Sequence, residues 1–225
     1  MSENWSQLAA AVTDALGLAV PPIAITFVDR ASDAKSPARA HPVPSSCVFW
    51  TEAVTATVTT VAEDHNCSVG RYVHGFVPLE SIVGNADVGA LLESGWVTPA
   101  DFGGVAAVDE RPAAIVYQPL EQAADPHVVL LRLNPRQTMD VLDAAGDVEL
   151  SGKPQCQVVA KAGKGRTALT MGCALSRQRT GMGDDEAVCA VPAAELAGLV
   201  SRLETVTRAN AAVRSYAAAH DTPSA

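Results

Sequence analysis

Aromatic residues are scarce in this chain: four Phe, three Trp and three Tyr among 225 residues. So few rings leave Tyr72 and Trp50 as packing residues rather than parts of a stacking platform. Positive charge is short as well, with 16 Lys and Arg against 25 Asp and Glu and a net charge of −9. No cluster of Lys or Arg offers the basic face that nucleic acid demands. The same shortage of basic residues argues against an anionic membrane surface. No apolar run is long enough to span a bilayer. The first residues lack the basic start of a secretory leader, and acidic residues interrupt their apolar stretch. The expected location is therefore cytoplasmic. A glycine-rich phosphate loop after a strand is missing too, and "GKGR" at 163–166 reads as a turn. Cysteines number only five. In a cytoplasmic chain they are thiols, metal ligands or nucleophiles before they are disulfides.

What is present is enough apolar sequence, 48%, for a core that needs no staple. Residues 4–17 carry Trp5, Leu8, Val12 and Leu16 at helical spacing, with Ser2 or Asn4 as cap. "PPIAITFV" (21–28) reads as a strand, and "DRASDAKSPARAHPVPSS" after it as a polar loop. "CVFWTEAVTATVTTVA" from Cys47 has the length of a helix and the Val/Thr content of a strand. Residues 79–95 look helical. "AAIVYQPL" and "HVVLLRL" read as strands, joined as a hairpin across Asp125-Pro126. "NPRQTMDVLDAA" begins with an Asn cap and Pro at the first helical position. "EAVCAVP" is a strand, and a C-terminal helix covers about 193–219. The interleaving predicts one α/β or α+β domain over 1–225.

The stretch "HNCSVGRYVHG" at 65–75 crowds reactive side chains together. Part of it recurs. Cys67, Arg71 and Gly75 reappear as Cys173, Arg177 and Gly181, all at an offset of 106. The cysteines that precede them, Cys47 and Cys156, differ by 109. "PPIAITFV" precedes the first unit and "HVVLLRL" the second. "GFVPLESIV" with Glu80 and "EAVCAVPAAELAGLV" with Glu195 follow, each read as strand, Pro and helix start. The pattern predicts an internal duplication, with pseudo-repeats at about 20–100 and 125–205. The two related halves would bring four cysteines together. The competing reading is two unrelated turns with buried cysteines, since free Cys often serves as a small core residue.

"LGLAVPPIAITF", "CVFW", "EDHNCSVGRYVHG", "GKPQC" and "GCALSRQRTGMGDDEAVCAVP" together resemble the family called domain of unknown function 169, the uncharacterised ArCR family. The resemblance spans nearly the whole chain. It implies a domain and cysteine positions, not a reaction. Cys47, Cys67, Cys156 and Cys173 fall in the family-like motifs, and Cys189 reads as core.

Four thiolates are the ligand set of an iron–sulfur cluster or a structural zinc. Zinc ribbons draw ligands in close pairs, and no two of these four are close in sequence. A [4Fe-4S]-type cluster is therefore favoured over zinc, against the alternative of four reduced, buried thiols. With three cysteine ligands, one iron could act as a Lewis acid. Asp64 and His65 would then be acid/base groups, or His65 a ligand in place of Cys47; the competing reading is that "EDH" caps a helix end or turn, which is the preferred one for Asp64. Arg71 and Arg177 read as paired holders of an anion or cluster sulfide, or as partners of surface acids such as Glu63, Glu80, Asp184 and Asp185. His74, with Thr180 opposite it in the repeat, reads as structural. A cysteine hydrolase using Cys67 with His65, His74 or His127 ranks low, for no nucleophile elbow is visible. The expected function is a cysteine-ligated metalloprotein, with an oxidoreductase or lyase activity left open. Its partner would be a small-molecule substrate or a redox partner. The alternative is a non-enzymatic haem or small-molecule carrier, or an adaptor. The acidic surface and long C-terminal helix permit a homo-oligomer.

Overall fold

Strands dominate the middle of the molecule because β-branched runs alternate between two apolar layers. The structure is a computed structural model and describes residues 4–30, 43–109 and 111–221. Most of the polar loop expected after Val28 lies outside those residues. A seven-stranded sheet runs in the order β2-β3-β1-β4-β7-β6-β5. The strands are β1 (Ile23–Val28), β2 (Val58–Thr60), β3 (Ala114–Pro119), β4 (Val128–Leu133), β5 (Glu149–Ser151), β6 (Ala168–Thr170) and β7 (Ala187–Pro192). All neighbours pair antiparallel except β5 with β6. The chain is a mixed α+β domain.

Both faces of the sheet are covered, so its central strands are apolar at nearly every position. One face packs on α1 (Trp5–Leu16), α6 (Pro135–Ala145) and α9 (Leu196–His220). Ala24, Val129, Leu131 and Cys189 point into that layer with Leu16, Val141 and Leu199. Asn4 caps α1 as expected, its side chain accepting from the Gln7 N–H at 3.1 Å. Asn134 and Gln137 form a reciprocal cap at the start of α6. The other face packs on α2 (Val48–Glu52), α3 (Ser68–Val73), α4 (Ala86–Glu93) and α7 (Gln157–Gly163). Ile25, Tyr117, Leu130 and Val188 meet Phe49, Val73, Val88 and Val159 there.

Three expectations change. The segment from Cys47 is both things in turn: a short helix, α2, then the strand β2. β3 and β4 form no hairpin, because β1 lies between them and pairs with both. "GFVP" is not a strand; a 3-10 turn at Leu79–Ser81 follows it, and α4 starts only at Ala86. The place in the sheet that matches β7 is taken instead by β3, which follows α3 after an insertion holding α4 and α5 (Pro99–Gly103).

What the sheet has of the expected two halves is a match of strand order and register. Ile23↔Pro119 and Val28↔Ala114 in the first trio answer Val128↔Pro192 and Leu133↔Ala187 in the second. Thr60↔Ile115 answers Thr170↔Val188. The trios meet at β1 and β4, with Ala24 opposite Val129.

Candidate functional site

Each of the four family-like cysteines stands at the N-terminus of its own short helix. Cys47 precedes α2, Cys67 precedes α3, Cys156 precedes α7, and Cys173 precedes α8 (Ala174–Thr180). Their backbones fall into two matched pairs. Cys47 (φ −66°, ψ −20°) and Cys156 (φ −62°, ψ −17°) are helical and buried. Cys67 and Cys173 are extended (φ −121° and −136°) and half-buried. All four line one cavity of about 40 Å³ with apolar walls, together with Ser45, Ser46, Gly70, Gln155 and Arg179. Cys189 lies on the opposite face of the sheet.

The recurring motif explains how the cysteines are held. Four residues after each outer cysteine, an arginine reaches back to the carbonyl two residues before it. Arg71 Nε donates to His65 O at 2.6 Å. Arg177 donates to Met171 O, and also to Gly183 O and Glu186 O. The motif glycines then end the helices in the left-handed region, Gly75 at φ 78° and Gly181 at φ 66°. Arg71 and Arg177 are thus committed to backbone carbonyls rather than aimed at an anion in the cavity. The cation at the site is one that sequence reading passed over. Arg179 lines the cavity, lowers the Cys67 thiol against the effect of burial, and donates to Pro44 O at 2.7 Å. It ties α8 of one half to the loop before Cys47 of the other.

The histidines stand behind the cavity wall. His65 Nδ1 is bonded to Ser46 Oγ at 2.7 Å and Nε2 to Thr60 Oγ1 at 3.0 Å. Both ring nitrogens are therefore occupied by hydroxyls, and burial holds the imidazole neutral with a pKa well below its usual value. This placement supports His65 as a support for Ser46, and leaves it no nitrogen for a metal. Gly70 makes the approach feasible, since a Cβ there would lie 2.4 Å from Ser46 Oγ. His74 is buried, bonds through Nδ1 to Gly70 O at 2.9 Å, and is lowered by burial to about 4. Asp64 accepts from the Val61 N–H at 2.8 Å and closes the 3-10 turn Ala62–Asp64, as a turn cap does. Of the acid/base and anion-holding candidates, none of His65, Asp64, Arg71 and Arg177 is among the residues lining the cavity.

The sulfurs feel one another. Burial first, then the neighbouring sulfurs, pushes Cys47 up to about 12 and Cys156 well above the ordinary thiol range. Burial raises Cys67 too. Such thiols stay protonated and are poor nucleophiles, which weighs against a cysteine hydrolase. Ligation by a metal would remove those protons. A single zinc holds its sulfurs at about 2.3 Å, hence about 3.8 Å apart. No group of three or more His, Cys, Asp or Glu among the described residues is drawn together closely enough to hold a metal ion as it stands.

The insertion roofs the cavity. Leu91 from α4 and Trp96 after it line the space. Asp87 accepts from the Ser68 N–H and hydroxyl at 2.9 and 2.7 Å, beside Cys67. Lys153 donates to Trp96 O and stands 5.3 Å above the indole centre. A wider groove of about 1070 Å³ lies elsewhere, beside Gly146, Arg166 and Arg202. Its arginines are already engaged, with Glu149 at 3.1 Å and Ala144 O at 2.6 Å.

Residues 11–202 match the family model of the uncharacterised ArCR family, domain of unknown function 169. The chain belongs to this family. The match covers all four cavity cysteines of this ArCR-family chain, and it brings no activity with it. No curated protein and no solved structure matches the chain. No helix among the described residues is long and apolar enough to cross a membrane.

Proposed function

We propose that this ArCR-family protein binds an iron–sulfur cluster of the [4Fe-4S] type through Cys47, Cys67, Cys156 and Cys173, and uses it in one-electron redox chemistry. The carrying observation is that four cysteines from four separate helix starts line one small apolar cavity. A cluster suits sulfurs arranged around a space, because each thiolate takes a different iron. With four cysteines available for four irons, no iron is left open, so electron transfer to a redox partner is favoured over Lewis-acid activation of a substrate. The matched registers of the two strand trios support a further reading, that the ligand pairs arose by internal duplication.

A haem or small-molecule carrier draws less support. Drug-sized ligands occupy roughly 300–1,000 Å³, against about 40 Å³ here. The test is anaerobic purification, or reconstitution with ferrous iron and sulfide, followed by iron and acid-labile sulfide analysis. About four of each per chain, with visible thiolate-to-iron absorption, is the expected result. A colourless protein without iron or sulfide after reconstitution would sink the proposal.

A further inference from the structure

The residues just before the two deep cysteines differ. Ser46 precedes Cys47 and its hydroxyl is bonded to His65. Gln155 precedes Cys156, is 0% exposed, and lines the cavity. Neither Nε2 nor Oε1 of its carboxamide has a hydrogen-bond partner among the described residues. Its contact with the Cys47 sulfur lowers that thiol as a weak hydrogen bond does, although it falls outside ordinary hydrogen-bond geometry. A second orphan, the buried Ser45 hydroxyl, lines the same space. Gly172 backs the carboxamide: at φ 86°, a Cβ there would stand 3.4 Å from Gln155 Oε1 and 3.3 Å from Arg177 Nε.

Buried polar groups without partners are rare in native proteins, and each carries its full desolvation penalty. Two such groups on residues lining one sulfur-lined cavity suit an electron-rich ligand inside it. We infer that the Gln155 carboxamide, with the Ser45 hydroxyl, donates hydrogen bonds to a bridging sulfide or ligand thiolate of the bound cluster and sets its reduction potential. This rests on the cluster reading proposed above. Hydrogen bonds to cluster sulfurs stabilise the more negative, reduced state and so raise the potential. The same carboxamide is a liability in the empty cavity. Its role is therefore opposite in the loaded and unloaded protein, which a purely structural glutamine would not be.

The experiment compares wild type with Gln155→Met and Gln155→Asn, each reconstituted with iron and sulfide. It reads metal content, midpoint potential by EPR-monitored titration, and melting temperature of the unloaded protein. Gln155→Met is expected to load fully, to titrate at a lower potential and to melt higher when unloaded. Gln155→Asn, with the donor drawn back by one methylene, is expected to fall between. A fully loaded variant at the wild-type potential overturns the assignment of Gln155 alone. Should Gln155→Met fail to fold, the wild-type potential in Gln155→Asn does the same. A wild type that takes up no iron overturns the cluster reading, and this inference with it.

Discussion

The two halves of the cavity wall have the same backbone and different chemistry behind it. Cys47 matches Cys156 and Cys67 matches Cys173 in conformation and burial. Both outer cysteines are held by an arginine four residues on. Yet the first half backs its wall with His65, which bonds Ser46 through one ring nitrogen and Thr60 through the other. The second half has Met171 where His65 stands, at the same offset of 106, and Gln155 with its carboxamide unpaired. The connections after the outer helices differ too. Gly181–Glu186 suffices in the second half, whereas the first half inserts α4 and α5 and roofs the cavity. What is common to both halves presents sulfur. What differs is the polar surroundings of those sulfurs.

The largest effect tests what the halves share. Cys47→Ala and Cys156→Ala should each abolish most iron loading, and to the same degree, while Cys189→Ala should leave it intact. Iron analysis after reconstitution reads this, and unequal loss at Cys47 and Cys156 would break the equivalence. Next come the clamps. Arg177 serves three carbonyls and Arg71 one, so Arg177→Met should destabilise more than Arg71→Met. About 1–3 kcal/mol per orphaned carbonyl sets the scale, measured by urea unfolding. Equal losses would show that the clamps carry the same load.

These arginines also mark where sequence reading reached its limit. The constant offset exposed Cys67, Arg71 and Gly75 as a unit, and the unit is real: a cysteine at a helix start, a clamp and a helix stop. It could not expose the clamp's target, because a backbone carbonyl leaves no trace in residue identity. Charge alone made both arginines look like anion holders. Arg179 and Gln155 were missed for the converse reason, since neither has a counterpart of its own type at the offset of 106. Gln155 was within reach all the same, as the amide beside Cys156 in the quoted stretch "GKPQC". The central strands β1, β4 and β7 were legible from their apolar runs. The three-residue strand β5 was too short to leave a pattern, and the place of β1 between β3 and β4 is a long-range pairing that local sequence does not encode.

Smaller effects sharpen the difference between the halves. His74 belongs to the first half only and is held neutral, at about 4 against an ordinary 6.5. Its folded pKa lies below the unfolded one. Its contribution is therefore fully present above pH 6.5 and is lost as pH falls toward 4, at up to about 1.4 kcal/mol per pH unit. His74→Gln should flatten the acid limb of stability between those values in denaturant titrations. An unchanged limb would remove His74 as its source. Ser46→Ala should cost about 1–2 kcal/mol by leaving His65 Nδ1 unpaired. The change should show as faster amide exchange in the first half while the second stays protected. Uniform loosening would mean that the hydroxyl supports both.

The seam between β1 and β4 acts as a ruler. Only three residue pairs join the strand trios there, Ile23 with Leu130, Ala24 with Val129 and Ile25 with Val128. A slip of one place would turn every apolar side chain to the wrong layer. A slip of two would preserve the layers but slide one pair of cysteines past the other by about 7 Å. Layer chemistry alone therefore does not fix the width of the cavity. The Arg179 bond to Pro44 O and the Lys153 bond to Trp96 O, each made from one half to the other, are among the detents that select a single setting of the ruler.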